Sequence, residues 1–183
     1  MKRLIAMLTV LPSAALAHAG HDQGAFSTGF AHPFGGADHL LAMVALGLWA
    51  AQAGGRAAWA LPCAFVAAML AGAVAGASGL GFPAVEPVIL ASVVLMGGAV
   101  AMAARRPVIE MAALAALFGF AHGWAHGAEG PVTGLAIYMV GFALATAGLH
   151  LAGVLAGRVL ARNVIRLSGA LTGAAGLALV VLP

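Results

Sequence analysis

The feature that most constrains this chain is a series of six apolar stretches, at 34–53, 57–77, 84–104, 107–126, 132–156 and 164–182. Each is close to the roughly 20 residues a helix needs to cross the hydrocarbon of a bilayer. In lipid the backbone must satisfy its own hydrogen bonds within each segment, so runs of this length read as helices. The breaks are short: Gly54-Gly55-Arg56, 78–83, Arg105-Arg106, Glu129-Gly130-Pro131 and 158–163. Gly and Pro punctuate them as turns require. Composition agrees. Only 7% of the 183 residues are charged, against about 25% in soluble domains, so the chain cannot cover a soluble surface. The expected fold is all-α, a polytopic membrane bundle of six transmembrane helices. Its first span has a variant start near Phe26, with Pro33 as a kink. The formal charge of +3 comes without any basic run, which excludes nucleic acid as a partner.

Residues 1–17 read as a cleaved signal peptide: Lys2 and Arg3, a short apolar run interrupted by Pro12, then Ala15-Leu16-Ala17. An uncleaved seventh helix is the alternative. Cleavage leaves one transmembrane domain, 18–183, starting outside. The remaining arginines, Arg56, Arg105, Arg106, Arg158, Arg162 and Arg166, all fall in or beside the first, third and fifth loops. An N-out, C-out topology makes those loops cytoplasmic, as the positive-inside rule requires.

That topology gathers the other charges. Seven His outnumber five Asp and Glu in this chain. His18, His21, Asp22, His32, Asp38, His39, Glu86, His122, His126 and Glu129 are all expected toward the outer face. Only His150 and Glu110 depart. Glu110 follows Arg106 by four residues, the spacing of a helical ion pair. His122 and His126 are also four apart and share a helix face, so both can grip one cation. Glu129 lies on the same side if the helix continues. His32 and His39, seven apart, share a face if the backbone there is helical. Asp38 is either a ligand or the acceptor for an imidazole N–H. Met43 reads as core, Cys63 as a small packing residue, and His150 equally as an exit ligand or a hydrogen-bonded core histidine. Gly72/Gly76, Gly153/Gly157 and Gly169/Gly173 read as small-residue helix contacts. Intramembrane polar residues are costly and usually functional. Imidazole with carboxylate suits nickel, cobalt, zinc or copper(II) better than calcium or magnesium.

Two of these segments, HPFGGADHLLAM (32–43) and FAHGWAHGAEGP (120–131), resemble the signature segments of the HupE/UreJ family. These are hydrogenase- and urease-associated membrane proteins regarded as nickel permeases, with some members implicated in cobalt uptake. The resemblance extends over nearly the whole chain. It implies metal roles for His32, Asp38, His39, His122, His126 and Glu129, and a place in the bacterial inner membrane with both termini periplasmic. It also implies that the metal is cargo rather than a permanent cofactor. Supply to hydrogenase, urease or cobalamin metal-insertion machinery would follow.

The expected function is therefore import of Ni²⁺ or Co²⁺, not enzymatic catalysis. With Lys2 the only lysine, the chain has no Walker A lysine for ATP. Two other classes stay open: an intramembrane zinc hydrolase with Glu129 or Glu86 as base, and a metal-binding accessory protein that does not transport.

Overall fold

All regular structure among the described residues, 24–181 of a computed structural model, is helical. The expected signal peptide, His18, His21, Asp22 and the last residue of the sixth stretch, Leu182, lie outside the described residues. Helix α1 spans Ala25–Ala31 and runs into a 3₁₀ turn, His32–Phe34. Helix α2 follows at Ala37–Ala53, then α3 at Ala57–Ala77, α4 at Val85–Met102, α5 at Val108–Glu129, α6 at Leu135–Val159 and α7 at Arg162–Val181. The five helices α3 to α7 are long and apolar enough to cross a membrane, and the bent pair before them makes a sixth if it counts as one span.

The first span departs from a continuous helix starting at residue 34. Helix α2 begins three residues later, and α1 precedes it at an angle of 77°. The variant start near Phe26 is closer to what forms. The cause is local. Pro33 has no N–H to continue the α1 ladder, and Gly35-Gly36 lets the chain turn before α2 starts. At the other extreme, α5 runs three residues past its expected end, carrying the helix through Glu129.

Bulky apolar side chains cover the outside of the bundle as well as filling its core, whereas several polar residues are held inside. Trp59, Val74, Ile109, Leu151 and Leu171 are exposed, whereas Ser92, His122, His126, Thr146, His150 and Thr172 are buried. A lipid-facing surface requires this, because tails are as apolar as leucine and helix association then depends on close packing. Helices α3 and α5 supply the closest approach. A Cβ on Gly119, Gly123 or Gly127 of α5 would run into the carbonyls of Phe65, Met69 and Ala73 on α3. Gly72 and Gly76 of α3 face Phe120 and Trp124 in the same way. Gly153 meets Val44 and Gly47, and Gly169 meets Ala101, so these small-residue pairs do lie at helix contacts. Cys63 is different: it is exposed, so it does not fill an interior gap.

Charge separates by end. A cavity of about 510 Å³ at one end is lined by Arg105, Arg158, Arg162 and Arg166. Arg106 pairs with Glu110 there at 2.9 Å, as the spacing predicts. Trp49 Nε1 donates to the Ala104 carbonyl at 2.8 Å and Arg166 Nε to Ala101 at 2.7 Å, tying the loops of this end together. The histidines of α2 and α5 lie toward the opposite end.

Gly123→Ala should therefore cost about 1–3 kcal/mol, because the added methyl must push α3 and α5 apart. Gly98→Ala, where a Cβ meets nothing within 4 Å, should be neutral or slightly stabilising through helix propensity. Thermal unfolding of both variants in detergent checks the contrast.

Candidate metal centre

Two helices and the turn bring four imidazoles together. His32 comes from the 3₁₀ turn, His39 from the first turns of α2, and His122 and His126 from successive turns of α5. The ring centres of His32 and His126 are 4.6 Å apart, those of His39 and His126 4.8 Å, and those of His39 and His122 5.0 Å. The bend does not separate His32 from His39. Because α1 folds against α6, where a Cβ on Gly29 would strike the Tyr138 backbone, the turn is directed back over α2 and the two rings stand 6.0 Å apart. Phe142 of α6 floors the group, with its ring centre 4.4 Å from that of His126.

Hydrogen bonding fixes which nitrogen each ring presents. A carbonyl only accepts, so His122 Nδ1–H donates to Phe118 O at 2.8 Å. Its Nε2 then carries a lone pair and has no partner. His39 Nδ1 lies 3.0 Å from Asp38 Oδ1, and a carboxylate likewise takes the proton's far side. With a neutral His39 ring, its Nε2 is the acceptor in the 2.7 Å contact with His126 Nε2, which then donates. Asp38 Oδ1 is thus paired with the His39 ring, the contact expected of an orienting acceptor. Gly36 makes room for this pairing: a Cβ there would stand 2.7 Å from Asp38 Oδ1 and 3.1 Å from His39 Nδ1.

Burial is graded along the group. His32 is exposed, the His39 side chain is 12% exposed, His126 is 7% exposed and His122 fully buried. Beyond His122 the ring of Phe65 follows at 5.4 Å, and His150 stands 5.0 Å beyond it. Among the described residues, no three His, Cys, Asp or Glu side chains are already set to hold a metal ion. The cluster is nonetheless close to one. Two imidazoles bound at about 2.0–2.1 Å to one ion have nitrogens roughly 2.9–3.4 Å apart. The His39 and His126 nitrogens need only separate by a few tenths of an ångström, with the proton between them removed.

Other expected members lie outside the ring group. Glu129 is exposed at the end of α5. Glu86 is exposed in the first turn of α4. Met43 is fully buried in the core. His150 is 1% exposed, and neither ring nitrogen has a hydrogen-bond partner among the described residues. Sequence reasoning missed Phe65, Phe142 and Gly36. Only Gly36 had a signal, its place beside Asp38-His39. Histidine ¹⁵N chemical shifts of the metal-free protein should report Nδ1–H tautomers for His39 and His122 and Nε2–H for His126. An Nε2–H tautomer at His122 would contradict its bond to the Phe118 carbonyl.

The family described as HupE / UreJ protein matches residues 5–179. Protein HupE of Rhizobium leguminosarum bv. viciae is 39% identical over 180 residues, covering 93% of this chain and 92% of that protein. No solved structure matches the chain. With most of its length matched on both counts, this membrane helical protein belongs to the HupE/UreJ family.

Proposed function

We propose that the protein is an inner-membrane permease that imports a divalent transition-metal ion, with Ni²⁺ first and Co²⁺ second. The observation that carries this reading is the graded set of imidazoles, running from exposed His32 to buried His122 at a helix break. Irregular backbone at membrane depth is tolerated where it lines a cavity or path, and broken helices build the substrate sites of many transporters. In this account His32 meets the hydrated ion. His39, His126 and His122 then replace water ligands one by one through Nε2. Asp38 keeps His39 oriented and makes its imidazole a better donor. Glu129 adds negative charge at the mouth, where it favours a cation over an anion.

The same geometry supports transport rather than permanent storage. The ion must break the His39–His126 hydrogen bond and displace the proton it holds, which lowers the net affinity. A site of moderate affinity can release what it captures. With the cluster facing the periplasm and the arginine end the cytoplasm, both termini are periplasmic. An inside-negative potential of 100 mV then favours inward movement of a divalent ion by about 4–5 kcal/mol, so no ATP site is required. Delivery to the metal-insertion machinery of hydrogenase, urease or cobalamin synthesis is the physiological end of this reading.

Purified protein in liposomes under an imposed negative-inside potential should take up ⁶³Ni²⁺, and His39→Ala or His122→Ala should reduce uptake at least tenfold. Wild-type rates in both variants would sink the reading. Asp38→Asn, which keeps the shape but removes the charge, should weaken metal binding by about 10–100-fold, read by equilibrium dialysis. Protons and metal compete for the same nitrogens, so uptake should fall as external pH is lowered from 7.5 to 5.5. A rise on acidification would contradict the assignment of imidazole ligands.

A further inference from the structure

The four-histidine cluster does not exhaust the buried imidazole of this bundle. His150 lies on α6 about 22 Å along the helix from Leu135. Neither of its ring nitrogens has a partner, and it is 1% exposed. His122 Nε2 is likewise fully buried and unpartnered. Two unsatisfied imidazoles in one apolar core carry a desolvation cost that a purely structural role does not repay. They also face the same object. The Phe65 ring stands between them, 5.4 Å from His122 and 5.0 Å from His150 by ring centres.

The residues one helical turn away continue the pattern. Thr146 precedes His150 by four residues on α6, and Met69 follows Phe65 by four on α3. Both are fully buried, and Thr146 Oγ1 donates to Met69 Sδ at 3.9 Å. Three helices thus place two imidazoles against the Phe65 ring and a hydroxyl–thioether pair one helical turn from it. This donor set suits a borderline transition-metal ion and not a hard cation such as calcium or magnesium. Beyond His150 an open groove of about 260 Å³ between α3 and α6, lined also by the exposed Trp59, Cys63 and Leu151, reaches Arg158 at the arginine end of the bundle.

We propose that His122 and His150 form a second, transient transition-metal site deeper than the four-histidine cluster, and that the Phe65 side chain is the gate that fills it between transfers. The proposal rests on the permease reading and adds a route to it. An ion on His39 and His126 is passed to His122, the Phe65 ring swings aside, and His150 takes the place of the outer ligands. Ring closure behind the ion separates the two ends. The α3–α5 backbone contact is too close to open easily, so the movement is assigned to the side chain rather than to a helix.

The test uses the full-length protein. His150→Phe keeps an aromatic ring packed against Phe65 but removes both nitrogens. Liposomes bearing this variant should take up ⁶³Ni²⁺ at least tenfold more slowly than wild type, while Ni²⁺ binding in detergent stays within about threefold. Unchanged uptake would overturn the inner site and leave the permease reading standing. Loss of binding together with uptake would also overturn it, because His150 would then be supporting the cluster. Absence of uptake by the unmodified protein would overturn the permease reading itself. A stoichiometry measurement keeps the proposal exposed independently of transport. Phe65→Ala, with the chamber unplugged, should bind two Co²⁺ ions per chain at saturation by equilibrium dialysis, one on His32, His39 and His126 and one on His122 and His150, and Phe65→Ala/His150→Phe only one. Equal stoichiometry in the two would contradict the second site.

Discussion

The close backbone contact between α3 and α5 is the constraint on which the rest depends. Gly119, Gly123 and Gly127 let α5 lie directly on the carbonyls of α3. In lipid there is no hydrophobic force to drive helices together, so van der Waals contact at such short range does that work. It also fixes rotation. With its glycine stripe committed to α3, α5 must point His122 and His126 toward α2 and α6. The same contact holds Phe65 of α3 against His122. A looser pair would leave each of these side chains free to rotate, and the graded order of burial would vanish.

The break between α1 and α2 is the second element. A straight helix would carry His32 a full two turns away from His39 along one axis. The bend at Pro33 and Gly35-Gly36 instead folds His32 over the first turn of α2, where it meets His126. Asp38 and His39 then sit at a helix N-terminus, where a carboxylate is electrostatically favoured. That placement lets Asp38 remain beside His39 at partial burial instead of being driven out to water. Local chain chemistry, a missing N–H and two missing side chains, thus produces the arrangement that gives the cluster its opening.

Much of this was legible in the sequence, and the parts that were not share a physical reason. Helix positions followed from apolar length, because the bilayer sets a ruler. The separation of arginines from the cluster histidines followed from loop parity. The pairing of His122 with His126 followed from helical pitch, and so did that of Arg106 with Glu110. What pitch cannot give is rotation between helices. The partnership of His39 with His126, the floor of Phe142 and the position of Phe65 between His122 and His150 depend on which faces meet. Asp38 illustrates the limit well. Its spacing allows either a direct ligand or an orienting acceptor, and its pairing with Nδ1 of His39 depends on the fold around it. Cys63 went wrong for a related reason: an apolar span has no solvent side by which to tell its lipid face from its packed one.

The central claim is that the imidazoles of this cluster, freed from their mutual hydrogen bond, become the ligands of a divalent transition metal. X-ray absorption at the nickel edge of the Ni²⁺-loaded protein tests it most directly. The account predicts nitrogen and oxygen neighbours at about 2.0–2.1 Å, with the outer-shell scattering of at least two imidazole rings, lost in a His39→Ala/His126→Ala double variant. A shell of oxygen ligands alone, without imidazole scattering, would contradict it.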